Sequence, residues 1–321
     1  GYDKTAFEKM LEIKGDSDHT KLIDMLTDLN DYSIGIEDVL KEHFDEENIV
    51  YWMAFQILMG NVDTQNRNVY LYSPLNSDIW YFIAWDNDGC LMRPEYELRN
   101  FSDQNSWEKG ISNYWGNILF QRCLKSRSFR EKLNDAILDL REYLNKDMLT
   151  SKIESYKNVL KPYLYLMPDA EYEPLTSEQY DQIAASLPDE IEKNYQLYLE
   201  SLETPMPFYI GVPTIDGDKL KFNWDVSYDL DAEDITYSVE VARDYLFRDV
   251  IYQNTTLTVP EAEMDLPKAG QYFVRVRATN TSGKTQDAFD YYVTDEGKYY
   301  GMRCFYITED STVEEDDYEE G

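Results

Sequence analysis

The chain has 321 residues, which makes two domains the first expectation, and its 43% hydrophobic and 15% aromatic content is enough to bury a core. It carries 63 acidic against 30 basic residues, a net charge of −33, so its surface repels nucleic-acid phosphates and anionic membranes. Because no basic patch offsets this charge, we expect no nucleic-acid partner. The acidity suits a secreted or surface protein or a holder of divalent cations, and solubility alone explains it equally well.

The cysteines and the hydropathy exclude three further classes of protein. Cys90, Cys123 and Cys304 lie far apart with no C-x-x-C spacing, which argues against a disulfide scaffold and against a structural zinc site. No apolar run reaches the length of about 18 residues that a membrane span needs. No signal peptide is recognisable, and the chain opens on Gly1, which suggests a processed product or part of a longer protein.

Residues 19–60 have a helical pattern. Apolar residues recur at intervals of three and four in TKLIDMLTDL and IEDVLKEHF, and EENIVYWMAFQILMG is apolar enough to be a buried helix that ends at Gly60. Residues 61–88 then predict two strands, NVYLYS and IWYFIAW, joined by a turn. A polar, irregular segment follows at 90–113, and helices return up to residue 202, with Ser128 and Thr176 as their expected N-caps.

Beyond residue 203 the periodicity changes from 3.6 to two. A Pro-containing linker, ETPMPF, is followed by short strands in KLKFNWD, ITYSVEVAR, TLTVP and GQYFVRVRATN, with turn residues between them. The predicted inward-facing side chains are Trp224, Tyr237, Val239, Val241, Tyr272, Val274 and Val276. The order of these segments resembles a fibronectin type III domain over residues 205–297, and KYYGMRCFYI would supply a last strand.

Oxygen-bearing side chains bracket the hairpin predicted at 61–88. Asp63 and Asn68 precede its first strand, and Asp86 and Asp88 follow its second. Antiparallel pairing across a short turn brings residues near 68 close to residues near 86. Carboxylates and an amide at one sheet end are ligands that Mg²⁺, Mn²⁺ or Ca²⁺ prefer, but Asp and Asn also simply cap turns. The residues alone leave both readings open.

The spacing of these residues matches the logic of phosphoryl transfer. In protein kinases a loop Asp accepts the substrate proton, an Asn five positions later holds a metal, and an Asp beyond the next strands holds metal on the phosphates. Asp63, Asn68 and Asp86 follow that order. The residue types differ from those of the protein-kinase motifs. Asn61 and Val62 occupy the positions before the catalytic Asp where His and Arg are usual, and the sequence D-N-D-G occupies the position of D-F-G.

GNVDTQNRNVYLY and IWYFIAWDND closely resemble the core of the CotH-type kinases, the spore coat protein H family of atypical secreted kinases. That family's pattern is a G-N-x-D loop, an N-x-Y-L-Y strand and a W-x-F-x-x-W-D-x-D strand end. DHTKLIDMLTDLND before this core and ILFQRCLKSRSFREKL after it also resemble the family's flanking segments. The resemblance therefore covers most of residues 1–200.

The resemblance implies a role for each acidic position. Asp63 would be the catalytic residue that positions a protein hydroxyl, and Asn68 and Asp86 would hold the metal on the ATP phosphates. Asp88 would be a further metal ligand, or else structural. The implied cofactors are ATP and Mg²⁺ or Mn²⁺, with Ca²⁺ as the alternative. Of the neighbouring residues, the expected roles are loop hydrogen bonding for Asn61 and Asn66, core packing for Trp85 and an ion pair for Arg93.

Kinase chemistry also needs an N-terminal lobe that covers the nucleotide and supplies a phosphate-binding Lys. No Gly-rich loop precedes the first predicted helix, and FEKMLEIKGD resembles the hinge where such a lobe would end. Lys9 and Lys14 lie too close to that edge to be the nucleotide lysine. We therefore expect the C-lobe half of a longer protein, with weak ATP binding and no robust kinase activity of its own.

The predicted fold class is multidomain α+β. A mainly helical, protein-kinase-like C-lobe with the site on a β-hairpin is expected over residues 1–202, an all-β fibronectin III or immunoglobulin-like sandwich over 203–308, and an acidic disordered tail over 309–321. The expected protein is monomeric, secreted or on a bacterial cell surface, and acts on protein Ser, Thr or Tyr hydroxyls or on cell-surface components. The alternatives are a non-catalytic, pseudokinase-like scaffold with a domain for adhesion or spacing, and a metal site for another phosphate chemistry such as hydrolysis.

Overall fold

The computed structural model describes residues 18–65, 67–98, 107–295 and 297–315. The helices lie before residue 203 and the large antiparallel sheets after it, so the mixed α+β class is confirmed. No helix in these ranges is long and apolar enough to cross a membrane. Lys9, Lys14, the expected hinge FEKMLEIKGD, Asn66 and residues 316–321 lie outside the described residues.

The helices follow the predicted periodicity closely. They are α1 (Thr20–Asn30), α2 (Ile36–His43), α3 (Glu46–Leu58), α4 (Arg93–Leu98), α5 (Ile118–Lys125), α6 (Arg127–Tyr143), α7 (Lys146–Leu164), α8 (Ser177–Ser186) and α9 (Glu190–Leu202). Thr176 caps α8 in a capping box with Gln179, as predicted. The prediction for α6 is wrong by two positions, because the hydroxyl of Ser126 and not Ser128 accepts the Phe129 N–H, at 3.2 Å. Helix α4 was not predicted.

Helix α3 is the centre of the helical part. It is apolar on nearly every side, which is the pattern of a helix buried all round. Trp52 on this helix stacks on Phe120 of α5 at a centroid distance of 5.6 Å, and α6 and α9 pack along its other faces. The Asp45 carboxylate accepts the Asn48 N–H at 2.9 Å and caps its N-terminus.

The predicted hairpin forms on top of α3. Strand β1 (Tyr70–Tyr72) pairs antiparallel with β2 (Tyr81–Ile83), with Leu71 opposite Phe82. The Phe82 ring is buried against Trp52, and the Asn48 side chain hydrogen-bonds both the N–H and the C=O of Phe82. These contacts fix the position of the hairpin relative to the buried helix α3.

The second half is two antiparallel sheets around a separate core. The strands are β3 (Thr214–Asp216), β4 (Lys219–Asn223), β5 (Ile235–Ala242), β6 (Val250–Leu257), β7 (Glu261–Asp265), β8 (Gly270–Asn280), β9 (Thr285–Asp287), β10 (Tyr291–Thr294), β11 (Gly297–Tyr300), β12 (Met302–Ile307) and β13 (Val313–Glu315). One sheet has the order β3-β4-β7 and the other β13-β12-β8-β5-β6, with β9 beside β8, while β10 and β11 form a hairpin. All seven side chains predicted to face inward lie in the core between the two sheets.

Two strands of this half were not predicted from the sequence. The acidic stretch Glu261–Asp265 is a strand, in which Ala262 and Met264 face the core and the acids face solvent. Strand β13 lies inside the segment predicted to be a disordered tail and pairs with Phe305–Ile307 of β12. Backbone pairing stabilises both strands although their composition disfavours a strand.

The Pro-containing linker is buried rather than exposed. Met206 has no exposed surface, and its N–H donates to the Tyr228 carbonyl at 2.8 Å. Across the same junction the ring centroids of Trp107 and Phe289 lie 5.1 Å apart, and those of Trp115 and Tyr228 lie 5.5 Å apart. The two halves therefore share a packed aromatic interface.

Candidate functional site

The loop that carries Asp63 begins at the end of α3. Gly60 has a φ of +60°, its N–H donates to the Ile57 carbonyl at 3.1 Å, and the Asn61 N–H donates to the Gln56 carbonyl at 3.0 Å. This pair of bonds is a Schellman motif, which closes a helix with a residue in the left-handed region. A Cβ on Gly60 would lie 2.7 Å from the Asn194 amide nitrogen, so both the backbone and the space require glycine.

The structure brings Asp63 and Asn68 into direct contact. The Asn68 amide donates to a carboxylate oxygen of Asp63 at 2.7 Å, and Asp63 is exposed while Asn68 is half-buried. Asn68 has a φ of +53°, which turns the chain sharply before β1. Asn tolerates this left-handed conformation better than most residues because its side chain can bond locally. The predicted catalytic acid is thus oriented by the predicted metal-holding amide.

The turn that carries Asp86 and Asp88 lies beside this loop. A Cβ built on Gly89 would lie only 2.9 Å from Asn61 Oδ1 and 3.7 Å from the Asp63 Cβ, so Gly89 permits the close approach of the two segments at Asn61. Asp86, like Asn68, is in the left-handed region, with a φ of +49°. The nearby negative charge of Asp88, first, and that of Asp63 raise the pKa of Asp86 above its usual value. The three carboxylates therefore form one electrostatic group.

Buried side chains hold the loop from below. The Thr64 and Tyr114 hydroxyls are 3.0 Å apart, and the Asn113 amide donates to the Val62 carbonyl at 3.3 Å. Burial raises the pKa of the Tyr114 hydroxyl, so it stays protonated and serves as a hydrogen-bonding group. The loop is therefore supported from the protein interior at Val62 and Thr64.

Three buried or half-buried amides connect the two segments, and sequence reasoning missed two of them. The Gln56 amide donates to Asn87 Oδ1 at 3.0 Å, and the Asn61 amide donates to Gln56 Oε1 at 3.0 Å and to Asn87 Oδ1 at 3.4 Å. Asn61 Oδ1 accepts the Asp63 N–H at 3.3 Å. Asn61 is thus the loop hydrogen bonder that was predicted. A glutamine inside an otherwise apolar helix was the only sequence signal for Gln56.

The donor set fits a small hard cation that keeps several waters. Within the described ranges, no three His, Cys, Asp or Glu side chains are already arranged to hold a metal ion. Asp86 and Asp88 are nonetheless adjacent, exposed and mutually repulsive, so a divalent cation would relieve their repulsion. Mg²⁺ is typically held by one or two carboxylates with water and phosphate oxygens completing its shell. Asp86 and Asp88 are two carboxylates of this kind and would hold such an ion.

Trp85 and Arg93 complete the surroundings. The prediction of a core position for Trp85 is wrong, because 51% of it is exposed and its ring lies tilted by 45° against that of Tyr70, with the ring centroids 4.9 Å apart. Arg93 forms the predicted ion pair, donating to Glu190 at 3.1 Å and to Asn194 Oδ1 at 2.8 Å. Arg93 therefore ties the segment after Asp88 to α9.

The comparisons with known proteins identify the helical half. A family model described as CotH kinase protein matches residues 2–198, more than half of the 321-residue chain. No curated protein matches. A solved structure, surface layer protein SbsC, domains 1-6, matches at 11% identity with a TM-score of 0.17, over 98% of this chain and 42% of its own, and a likeness at that level carries no argument. The chain spans less than half of that structure's length.

Proposed function

Because the chain belongs to the CotH kinase family, we propose that it supplies the catalytic-loop side of a metal-dependent protein kinase. The reaction would transfer the γ-phosphoryl group of ATP to a Ser, Thr or Tyr hydroxyl of a protein. The observation that supports it best is the contact between Asp63 and Asn68 beside the Asp86–Asp88 turn. A turn-capping role alone needs neither that contact nor the neighbouring acids.

Asp63 is the proposed catalytic residue. Its carboxylate accepts the hydroxyl proton as the substrate oxygen bonds to the γ-phosphorus, while the bond from that phosphorus to the bridging oxygen breaks and ADP leaves. The Asn68 amide bonds one oxygen of Asp63, which leaves the other to face the substrate. Asp63 is exposed, so a protein substrate can reach it.

Asp86 and Asp88, with Asn68, are the proposed holders of Mg²⁺ or Mn²⁺, with Ca²⁺ as the alternative. Such an ion neutralises the charge that develops on the phosphate oxygens. Asp86 presents its carboxylate from a left-handed backbone position just beyond β2. The role of Asp88 as ligand rather than structural residue belongs to the same proposal.

The remaining assignments are proposals that follow from the family and the strand pattern. Residues 203–308 would be a fibronectin type III domain that spaces or attaches the catalytic part at a bacterial surface, after secretion. The three-stranded and the larger sheet, packed around one core, support that assignment. We propose that the protein acts as a monomer.

The test measures transfer from labelled ATP to a protein substrate in Mn²⁺ or Mg²⁺. The full-length protein that contains residues 1–321 is compared with its Asp63→Asn and Asp86→Asn variants. We expect a loss of at least about 100-fold for each, the usual contribution of a general base or of a metal-ion site. Asp78→Asn is the matched control, since Asp78 is an exposed acid in the turn of the same hairpin.

The outcomes separate the proposed function from its alternatives. Loss in both site variants with an unchanged Asp78→Asn control supports a kinase. Phosphate release without protein labelling would support a hydrolase. The absence of any phosphoryl transfer by the full-length protein, with normal folding, would leave the non-catalytic scaffold as the function and refute the proposal.

A further inference from the structure

The side chains of Gln56 and Asn61 connect the Asp63 loop to the Asp86–Asp88 turn. They are not needed to close the C-terminal end of α3. The Schellman motif at Gly60 already closes α3 with two backbone bonds. The side chains of Gln56 and Asn61 are therefore available for other contacts. Both are directed at Asn87, the residue between the two acids of the turn.

The hydrogen bonds of these amides are mutually complementary. Asn87 Oδ1 accepts from both Gln56 and Asn61, Gln56 Oε1 accepts from Asn61, and Asn61 Oδ1 accepts the Asp63 N–H. Gln56 is 1% exposed and Asn61 is 2% exposed. Buried amides without partners are destabilising, so each of these side chains is held in one orientation by the other two.

The neutral charge of the three side chains also matters. The turn and the loop already carry three acidic side chains, Asp63, Asp86 and Asp88. An acid in the link would add to that repulsion, and a base would compete with a cation for the carboxylates. Amides join the two segments firmly without changing the charge of the site.

We infer that Gln56, Asn61 and Asn87 are a positioning unit that fixes the distance and orientation between Asp63 and the Asp86–Asp88 pair. This inference rests on the proposed function for its consequence in catalysis. The geometry itself concerns only residues of this chain. In this inference the three amides act through the acids on either side, by way of the hydrogen bonds among themselves and to the Asp63 N–H.

The first experiment measures hydrogen exchange in the metal-free chain, so it does not depend on activity. Gln56→Leu removes a donor and an acceptor at nearly constant volume, and Asn87→Ala removes the shared acceptor at a half-buried position. We expect the Asp63 amide and the amides of residues 87–89 to exchange at least about fivefold faster in both variants, as for one lost hydrogen bond. Unchanged exchange in both segments would overturn the inference.

The second experiment measures Mn²⁺ affinity through quenching of Trp85, which adjoins Asp86. Loss of residues that orient metal ligands typically weakens binding about 10- to 100-fold, and we expect the lower figure here. The double variant should bind about as weakly as either single variant, because both changes break the same link. Additive losses would show two independent structural effects and would contradict a single unit.

Gln286→Leu is the matched control. Gln286 is also 1% exposed but lies on β9, far from the site. Its replacement should change thermal stability without changing loop exchange or Mn²⁺ affinity. If the unsubstituted chain binds no Mn²⁺, the proposed metal site fails, yet the exchange data still decide the inference about the three amides. If it binds Mn²⁺ and neither variant changes exchange or affinity, only the inference fails.

Discussion

Replacing Gly60 by alanine should destabilise the helical half more than an ordinary glycine substitution does. The backbone there has a φ of +60°, which closes α3 and opens the loop to Asp63. An added Cβ would lie 2.7 Å from Asn194 Nδ2 and 3.0 Å from its Oδ1, closer than such atoms can approach. Asn194 cannot simply rotate away, because it is buried and bonded on both sides.

The loss of unfolding free energy in Gly60→Ala has two contributions. A left-handed backbone costs an alanine about 1–2 kcal/mol relative to glycine. Displacing Asn194, which donates to the Leu58 carbonyl at 2.8 Å and accepts from Arg93 at 2.8 Å, adds the cost of overpacking, about 1–3 kcal/mol. The free energy of unfolding should therefore fall by about 2–5 kcal/mol.

Gly217 provides the matched control. Its φ is +62°, almost the same, but a Cβ added there would meet no atom within 4 Å. Gly217→Ala should cost only the backbone part, about 1–2 kcal/mol. Native-state hydrogen exchange gives the free energy of unfolding separately for the most protected amides of α3 and of β4. The comparison is therefore valid even if the two halves unfold independently. Equal losses in the two variants would refute the role assigned to Asn194.

Three further predictions concern other parts of the chain. Arg93→Ala should lower the free energy of unfolding by about 3 kcal/mol, since it removes the arginine partner of Glu190, 1% exposed, and leaves its pair to a half-exposed lysine. Arg127→Ala, in an exposed pair, should cost under about 0.5 kcal/mol in the same urea titration. Phe289→Ala should cost about 3 kcal/mol by removing the ring packed between the two halves, and a change below about 1 kcal/mol would contradict that packing. Burial raises the pKa of the Cys90 thiol to about 12, so alkylation of the native chain should stay slow at pH 8 and become fast only on unfolding; equal rates in both states would contradict the burial.

Periodicity was a reliable guide where one face of an element is buried. The bounds of α1 to α3 and the inward-facing side chains of β5 and β8 follow directly from apolar spacing. The acidic strand at 261–265 shows the limit of that guide. Ala262 and Met264 follow the period-two pattern of a strand, but the acids around them have low strand propensity. The strand forms because β4 provides backbone hydrogen-bond partners.

The candidate site was predictable as a set of residues but not as an arrangement. The spacing of the kinase motifs and the resemblance to CotH-type kinases identified Asp63, Asn68, Asp86 and Asp88 as candidate site residues. The structure places all four at one end of the hairpin. The spacing carried no information about Gln56, because its partner Asn87 is 31 positions away. Contacts between polar side chains at that separation depend on the tertiary fold, which no local pattern specifies.

The buried linker has a similar explanation. Proline and polar residues at a change of periodicity are typical of exposed connections, and composition alone favours that reading. Here Met206 is fully buried and belongs to the same core cluster as Trp115 and Phe289, which are far from it in the sequence. The junction is thus stabilised by residues that no local window contains.

The two left-handed positions at the site connect these observations. Glycine would relieve the backbone at Asn68 and Asp86, where each side chain costs roughly 1 kcal/mol, yet the chain has an amide and a carboxylate there. Such strain persists where the side chain is needed and the surroundings fix the backbone. At Asn68 the bond to Asp63 fixes it, and at Asp86 the adjoining Asn87 is held by Gln56 and Asn61. The strained positions and the amide link therefore act together to present the acids at a fixed place, as the proposed phosphoryl transfer would require.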